Sequence, residues 1–205
     1  MILIGREEAL EAGGRATTAE RLEAVALRLF LQRGYARVTV DDIASAAGVS
    51  PRTFFRYFSS KADVVFAHHR ARVRALEAAL SVRPSEEPVI ASVHAALSEL
   101  AEVYAEERDR DLIRLRIVSE TPALIACSAH ASAEMEHVIV GYVTGRLHVD
   151  AVSDLRPSIA AAATIGALRV AVEHWMSSGG LSDLSALLTE ALVLVRTDYG
   201  LRQMA

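Results

Sequence analysis

The sequence predicts an all-α chain in two parts: an N-terminal three-helix domain of the helix-turn-helix type, then a C-terminal helical domain. Three observations carry this. Apolar residues recur at three- and four-residue steps along most of the 205 residues, and no period-two run is long enough to demand a sheet. A chain 52% hydrophobic but only 5% aromatic suits a core of Ala, Leu and Val between helices. The segment 39–61 carries helix starts and stops in a fixed order.

Taken from the start, 1–16 contains Gly13-Gly14 and weak periodicity, and reads as a flexible arm whose Arg6 and Arg15 can reach a minor groove. Thr17 with Glu20 is a capping-box pattern, opening a helix to about Gln32. Leu22, Val25, Ala26, Leu29 and Phe30 form its apolar face, and Gly34 ends it. Thr39 with Asp42 repeats the capping pattern for a short helix. Ala44 is small where two crossing helices approach closely, and Gly48 stops the helix by accepting a left-handed conformation. Ser50 caps the next helix and Pro51 takes its first position, where a missing N–H costs nothing. Phe54 and Phe58, four apart, anchor that helix inward. Arg52, Thr53, Arg56 and Tyr57 are left outside, a set suited to base edges and phosphates.

Ser60 with Asp63 opens one long helix to about Ser81. It includes His68 and His69, which as neighbours point to different helix faces and so do not suggest a metal site. The run 83–88, with Pro at 84 and 88, is the clearest linker. Helices follow over 89–107, 111–120 (ended by Thr121-Pro122), 123–147 and 155–178, with Ser182 capping the last one. The domains are therefore set at 1–16, 17–62 and 63–205.

Charge separates these parts. Residues 12–74 hold eleven Lys and Arg against five Asp and Glu, while 75–205 hold ten against eighteen. The net charge of −4 thus hides a basic N-terminal domain, as a DNA-facing domain requires. Lys61 is the sole lysine in the chain. No apolar run approaches about 18 residues without a charge, and 1–4 is too short for a secretion signal, so a cytoplasmic protein is expected. Cys127 stands alone, which excludes an internal disulfide and a cysteine metal cluster; it reads as a small buried apolar side chain. No Ser-His-Asp order, metal-ligand spacing or phosphate loop appears, so neither catalysis nor a cofactor is expected.

The order Thr39, Ala44, Gly48, Ser50, Pro51, Phe54, Phe58, Ser60, Lys61, with Phe30, Gly34 and Tyr35 before it, resembles the DNA-binding domain of TetR-family transcriptional regulators. That resemblance implies DNA contacts from Thr39, Ser50, Arg52, Thr53, Phe55, Arg56, Tyr57 and Lys61, the lysine facing phosphate. Family members often carry Tyr where Phe55 stands; Phe has no hydroxyl for a phosphate, and the role passes to Tyr57. It also implies a homodimer on a palindromic double-stranded operator, with the wide apolar stripes of the last two helices forming a four-helix bundle. Ile159, Ala162, Ala163, Gly166, Val170 and Trp175 are placed on one seam. The middle helices would then surround a ligand cavity. Candidates are Leu97, Tyr104, Leu115, Val118, Met135, Arg169 and Trp175.

Arg169 lies in a nearly uncharged run and, if buried, needs Glu173 or an anionic ligand as partner. The stretches 114–122, 166–169 and 173–175 resemble an actinobacterial subgroup of the family that binds acyl-CoA-like ligands. This implies a hydrophobic or acyl-CoA-like effector, its negative group meeting Arg114, Arg116 or Arg169. The leading expectation is a repressor released from DNA by that effector. The alternative keeps the helix-turn-helix and gives the C-terminal domain only to dimerisation or a protein partner.

Overall fold

The computed structural model describes residues 17–198; the arm expected over 1–16, with Arg6 and Arg15, lies outside the described residues. Ten α-helices and one 3-10 turn make up the described chain. They are α1 (Thr18–Arg33), the 3-10 turn (Tyr35–Arg37), α2 (Val40–Ala46), α3 (Pro51–Tyr57), α4 (Lys61–Val65), α5 (His69–Ser81) and α6 (Val89–Glu106). Then come α7 (Arg108–Ser119), α8 (Pro122–Leu147), α9 (Arg156–Ser177) and α10 (Leu184–Asp198). The all-helical expectation holds, with no strand among the described residues.

Two compact units divide the chain. The first holds the described residues through His68 together with Asp109–Ala126; the second holds His69–Arg108 and the chain from Cys127 onward. This differs from the boundary expected at 62/63. The long helix expected from 60 to 81 is broken: α4 stops at Val65 and α5 begins at His69. Val64, Val65, Phe66 and Ala67 all pack on the first unit's core. Four consecutive residues cannot share one helix face, so the backbone loosens to deliver them.

The second departure is that most of α7 and the first turn of α8 belong to the first unit. Ile113, Ile117 and Leu124 join Leu22, Phe30, Ile43 and Phe54 in its core. A buried charge network accompanies them. Arg114 donates to Asp111 (2.7 Å) and bonds Glu23 of α1, which also meets His68 Nε2 at 3.2 Å. Burial alone would raise the Glu23 carboxyl; the His68 hydrogen bond and the Arg114 guanidinium outweigh it and hold Glu23 below the ordinary carboxylate range. Arg114 was expected as an option for a ligand's negative group; its guanidinium is instead committed inside the first unit's core.

In the second unit, α10 packs on α9 and α6, and α5 packs on α6. Ala160, Ala161, Thr164, Leu168, Ala171 and Trp175 form the inner face of α9. Trp175 is therefore not on the expected seam: it is buried, while Ile159 and Val170 are exposed on another face. Gly179 (φ 67°) and Gly180 (φ 73°) close the helix with the two hydrogen bonds of a Schellman motif, to Met176 and Trp175 carbonyls. The last helix is capped by Asp183, not Ser182: its carboxylate accepts from the Ser185 and Ala186 N–H groups at 2.9 and 3.2 Å. Cys127 is exposed, contrary to the buried reading. Between Leu124 and Met135 α8 changes the core it serves, and Cys127 lies in the stretch between.

Candidate nucleic-acid interface

The pair α2–α3 is built by local rules. Thr39 Oγ1 accepts from Asp42 N (3.1 Å), and Asp42 Oδ2 accepts from Thr39 N (2.8 Å), so the capping box is complete. The Thr39 hydrogen bonds hold the Asp42 carboxyl below its usual range. At the other end Gly48 has φ 66°, and the turn carries both Schellman bonds: Gly48 N to Ser45 O (3.0 Å) and Val49 N to Ala44 O (2.9 Å). Ser50 Oγ then accepts from Thr53 N (3.2 Å), and Pro51 opens α3. Phe54 and Phe58 are buried with ring centroids 5.7 Å apart, fixing the rotation of α3 on the core.

That rotation turns Arg52, Phe55, Arg56 and Tyr57 outward, with Thr53 half-buried beside them. Phe55 is 56% exposed, unusual for so large an apolar group. Arg56 and Tyr57 form one unit: Arg56 donates to the Tyr57 hydroxyl at 3.2 Å, and its guanidinium lies 4.9 Å from the ring centroid. The Arg56 hydrogen bond lowers the Tyr57 phenol below its ordinary pKa. A short face with two guanidiniums, a hydroxyl and an exposed ring can bind phosphates and reach base edges in a major groove.

Four other expected contacts, Thr39, Ser50, Thr53 and Lys61, are occupied within the protein. Thr39 has committed its hydroxyl proton and its N–H to Asp42. Ser50 and Thr53 share a hydroxyl–hydroxyl bond of 3.0 Å. Lys61 Nζ donates to the carbonyls of Tyr35 (2.8 Å) and Val38 (3.0 Å) and lies 4.2 Å from the Tyr35 ring centroid. Burial pushes its pKa below that of an ordinary lysine. Lys61 thus braces the segment between α1 and α2, a role that spacing alone did not reveal. Asp63, paired by its spacing with Ser60, accepts instead from Ser59 N and Oγ at 2.8 and 2.9 Å, while Ser60 caps α4. Glu23 was also missed. The signal was its place three, four and seven residues before Ala26, Leu27 and Phe30, on a face that is buried.

The expected ligand contacts do not fall in one place. Leu115 and Val118 belong to the first unit, where Val118 packs on the core. Leu97, Met135 and Trp175 are buried in the second unit, and Tyr104 lies under the Arg72 guanidinium, 3.8 Å from its ring centroid. Arg169 is not buried: its side chain is 62% exposed and bonds Glu173, one turn on, at 2.7 Å. Arg116 is likewise exposed and paired with Glu120 at 2.9 Å.

A helix pair with this turn and this outward face defines a helix-turn-helix transcriptional regulator. Comparison with known proteins narrows the class. Residues 22–67 match the family of bacterial regulatory proteins of the tetR type, and residues 87–200 match the MftR C-terminal domain. The chain is 36% identical to the HTH-type transcriptional regulator TcmR of Streptomyces glaucescens, over 83% of this chain and 77% of that one. The protein therefore belongs to the TetR family of DNA-binding transcriptional regulators, whose members bind operators and dimerise. Among solved structures, the SmeT–triclosan complex aligns with a TM-score of 0.63 at 18% identity, covering 88% of this chain and 90% of that one. Thermus thermophilus FadR in complex with lauroyl-CoA aligns with a TM-score of 0.58 at 20% identity, covering 86% and 92%. At such identities these likenesses establish the fold alone. No helix among the described residues is long and apolar enough to cross a membrane.

Proposed function

We propose that this protein is a cytoplasmic, ligand-responsive repressor whose dimer binds a palindromic operator and is released by a hydrophobic or acyl-CoA-like effector. The observation that carries the reading is the outward face of α3, where Arg52, Phe55, Arg56 and Tyr57 stand exposed over a helix anchored by buried Phe54 and Phe58. Arg52, Arg56 and Tyr57 contact phosphates and bases directly, with Phe55 against an apolar base edge. Thr39, Ser50, Thr53 and Lys61 act mainly by shaping the helices that present them. The homodimer is supported by Ile159 and Val170 of α9 and Val193 and Leu194 of α10. These four apolar side chains are left exposed on two helices that pack against each other.

An effector of this class is supported by the lauroyl-CoA and triclosan carried by the two structural relatives. Within the second unit Leu97, Tyr104, Met135 and Trp175 are the contacts this reading retains. For release, the effector must bind the DNA-free conformation more tightly than the DNA-bound one. The second reading, a C-terminal domain for dimerisation or a protein partner alone, is favoured by the packing of Leu97 and Trp175, which are 0% and 1% exposed as in an ordinary core. Native mass spectrometry of the purified protein separates the two readings. A dimer carrying a small-molecule adduct, whose addition lowers operator affinity, is the expected result. A bare dimer unaffected by acyl thioesters would favour the second reading.

A further inference from the structure

We infer that the second unit carries, between α5 and α8, a binding site for a small amphiphilic anion, with a carboxylate or phosphate head and a short apolar body. The site is a shallow groove, widely open to solvent, with a volume of about 590 Å³. From α5 it is lined by Arg70, Val73, Arg74 and Glu77, the i, i+3, i+4, i+7 set of one helix face. From α8 it is lined by His130, Ala133, Glu134, His137 and Val138, again one helix face. Val73 and Val138 are half-buried and supply an apolar strip; the charged groups around them are exposed.

What marks the cleft is the state of its arginines. Elsewhere in the second unit, Arg72, Arg83, Arg108, Arg146, Arg156 and Arg169 each hold a ring, a carboxylate or a carbonyl. Arg70 and Arg74, one turn apart and on the same face, have no ion-pair partner among the described residues. The nearest carboxylates do not serve. Glu134 is held by His69 Nε2 at 2.6 Å and faces His130 at 3.5 Å. Glu77, one turn beyond Arg74 on the same face, lines the cleft without forming an ion pair with it. Two free guanidiniums beside an apolar strip match an anionic head and a short apolar tail.

Only the regulatory meaning of this site rests on the ligand-responsive reading; binding is tested without DNA. Calorimetric titration of the full chain with octanoate, octyl phosphate and octan-1-ol separates head group from tail. At least one anion is expected to bind about tenfold tighter than the alcohol, and the stronger of the two names the head group. Arg70→Gln with Arg74→Gln should bring that anion to the alcohol's affinity, with the helical circular dichroism unchanged. Equal affinity for anion and alcohol, no binding of either anion, or an anion preference that survives the double variant would overturn the site. A ligand-free double variant that has lost operator affinity would reassign the two arginines to DNA and also overturn it. A parallel operator titration isolates the regulatory role: anion binding that leaves DNA affinity unchanged keeps the site and shows that it is separate from the effector contacts at Leu97, Tyr104, Met135 and Trp175.

Discussion

Two arginine–glutamate pairs, one in each unit, are held in opposite ways. In the first, Arg114 and Glu23 meet across 91 residues of sequence, both inside the core. In the second, Arg169 and Glu173 meet one helical turn apart, in solvent. The contrast teaches where specificity is stored. The DNA-reading unit ties Glu23, His68, Asp111 and Arg114 into one network centred on a buried ion pair, so a change in one is felt by the others. The second unit buries a largely aliphatic core and carries pairs such as Arg169–Glu173 in solvent, where they can be exchanged at little cost.

The comparison can be broken at several points. Arg114→Ala leaves Glu23 and Asp111 buried beside an absent cation and should cost about 3–5 kcal/mol in a denaturant titration. A loss under 1 kcal/mol would remove the network from the account. Lys61→Ala strips two part-buried carbonyls of their donor and should lower unfolding stability by about 1–3 kcal/mol. If only operator affinity changed, Lys61 would be a phosphate contact rather than a brace. Acid should reveal Glu23 more gently. Its folded pKa is lowered, so its stabilisation is complete above the unfolded value of about 4.3 and is lost as pH falls through the folded value. The stability gap between wild type and Glu23→Gln should therefore narrow below about pH 4. The smallest effect belongs to Arg169→Ala, about 0.3–0.5 kcal/mol for an exposed pair of this spacing. A loss as large as that of Arg114 would erase the distinction between the two pairs.

The reading unit was legible because each of its turns demands a particular residue at a particular place. A left-handed backbone at 48 calls for Gly, and caps at 39 and 50 call for side-chain acceptors. Such rules act over three or four residues and so can be seen in sequence. Long-range pairing cannot. Nothing local announced that 109–126 would join the first unit, since Arg114 takes its partner from α1. The break between α4 and α5 was hidden because the run 64–67 reads equally well as the start of a continuous helix. Arg169 misled for a related reason. Its neighbours are uncharged, yet it sits on the outward face, beside a Val170 that is itself exposed.

Operator binding by α3 bears most directly on the central claim. An operator selected from random duplexes would be labelled and titrated by fluorescence anisotropy at one fixed salt concentration, because phosphate contacts make affinity salt-dependent. Arg56→Ala and Tyr57→Ala should each weaken binding by about 1–3 kcal/mol, roughly fivefold to 150-fold. Both should leave the dimer and its unfolding midpoint as in wild type. Wild-type affinity in both variants would show that the outward face of α3 does not read DNA.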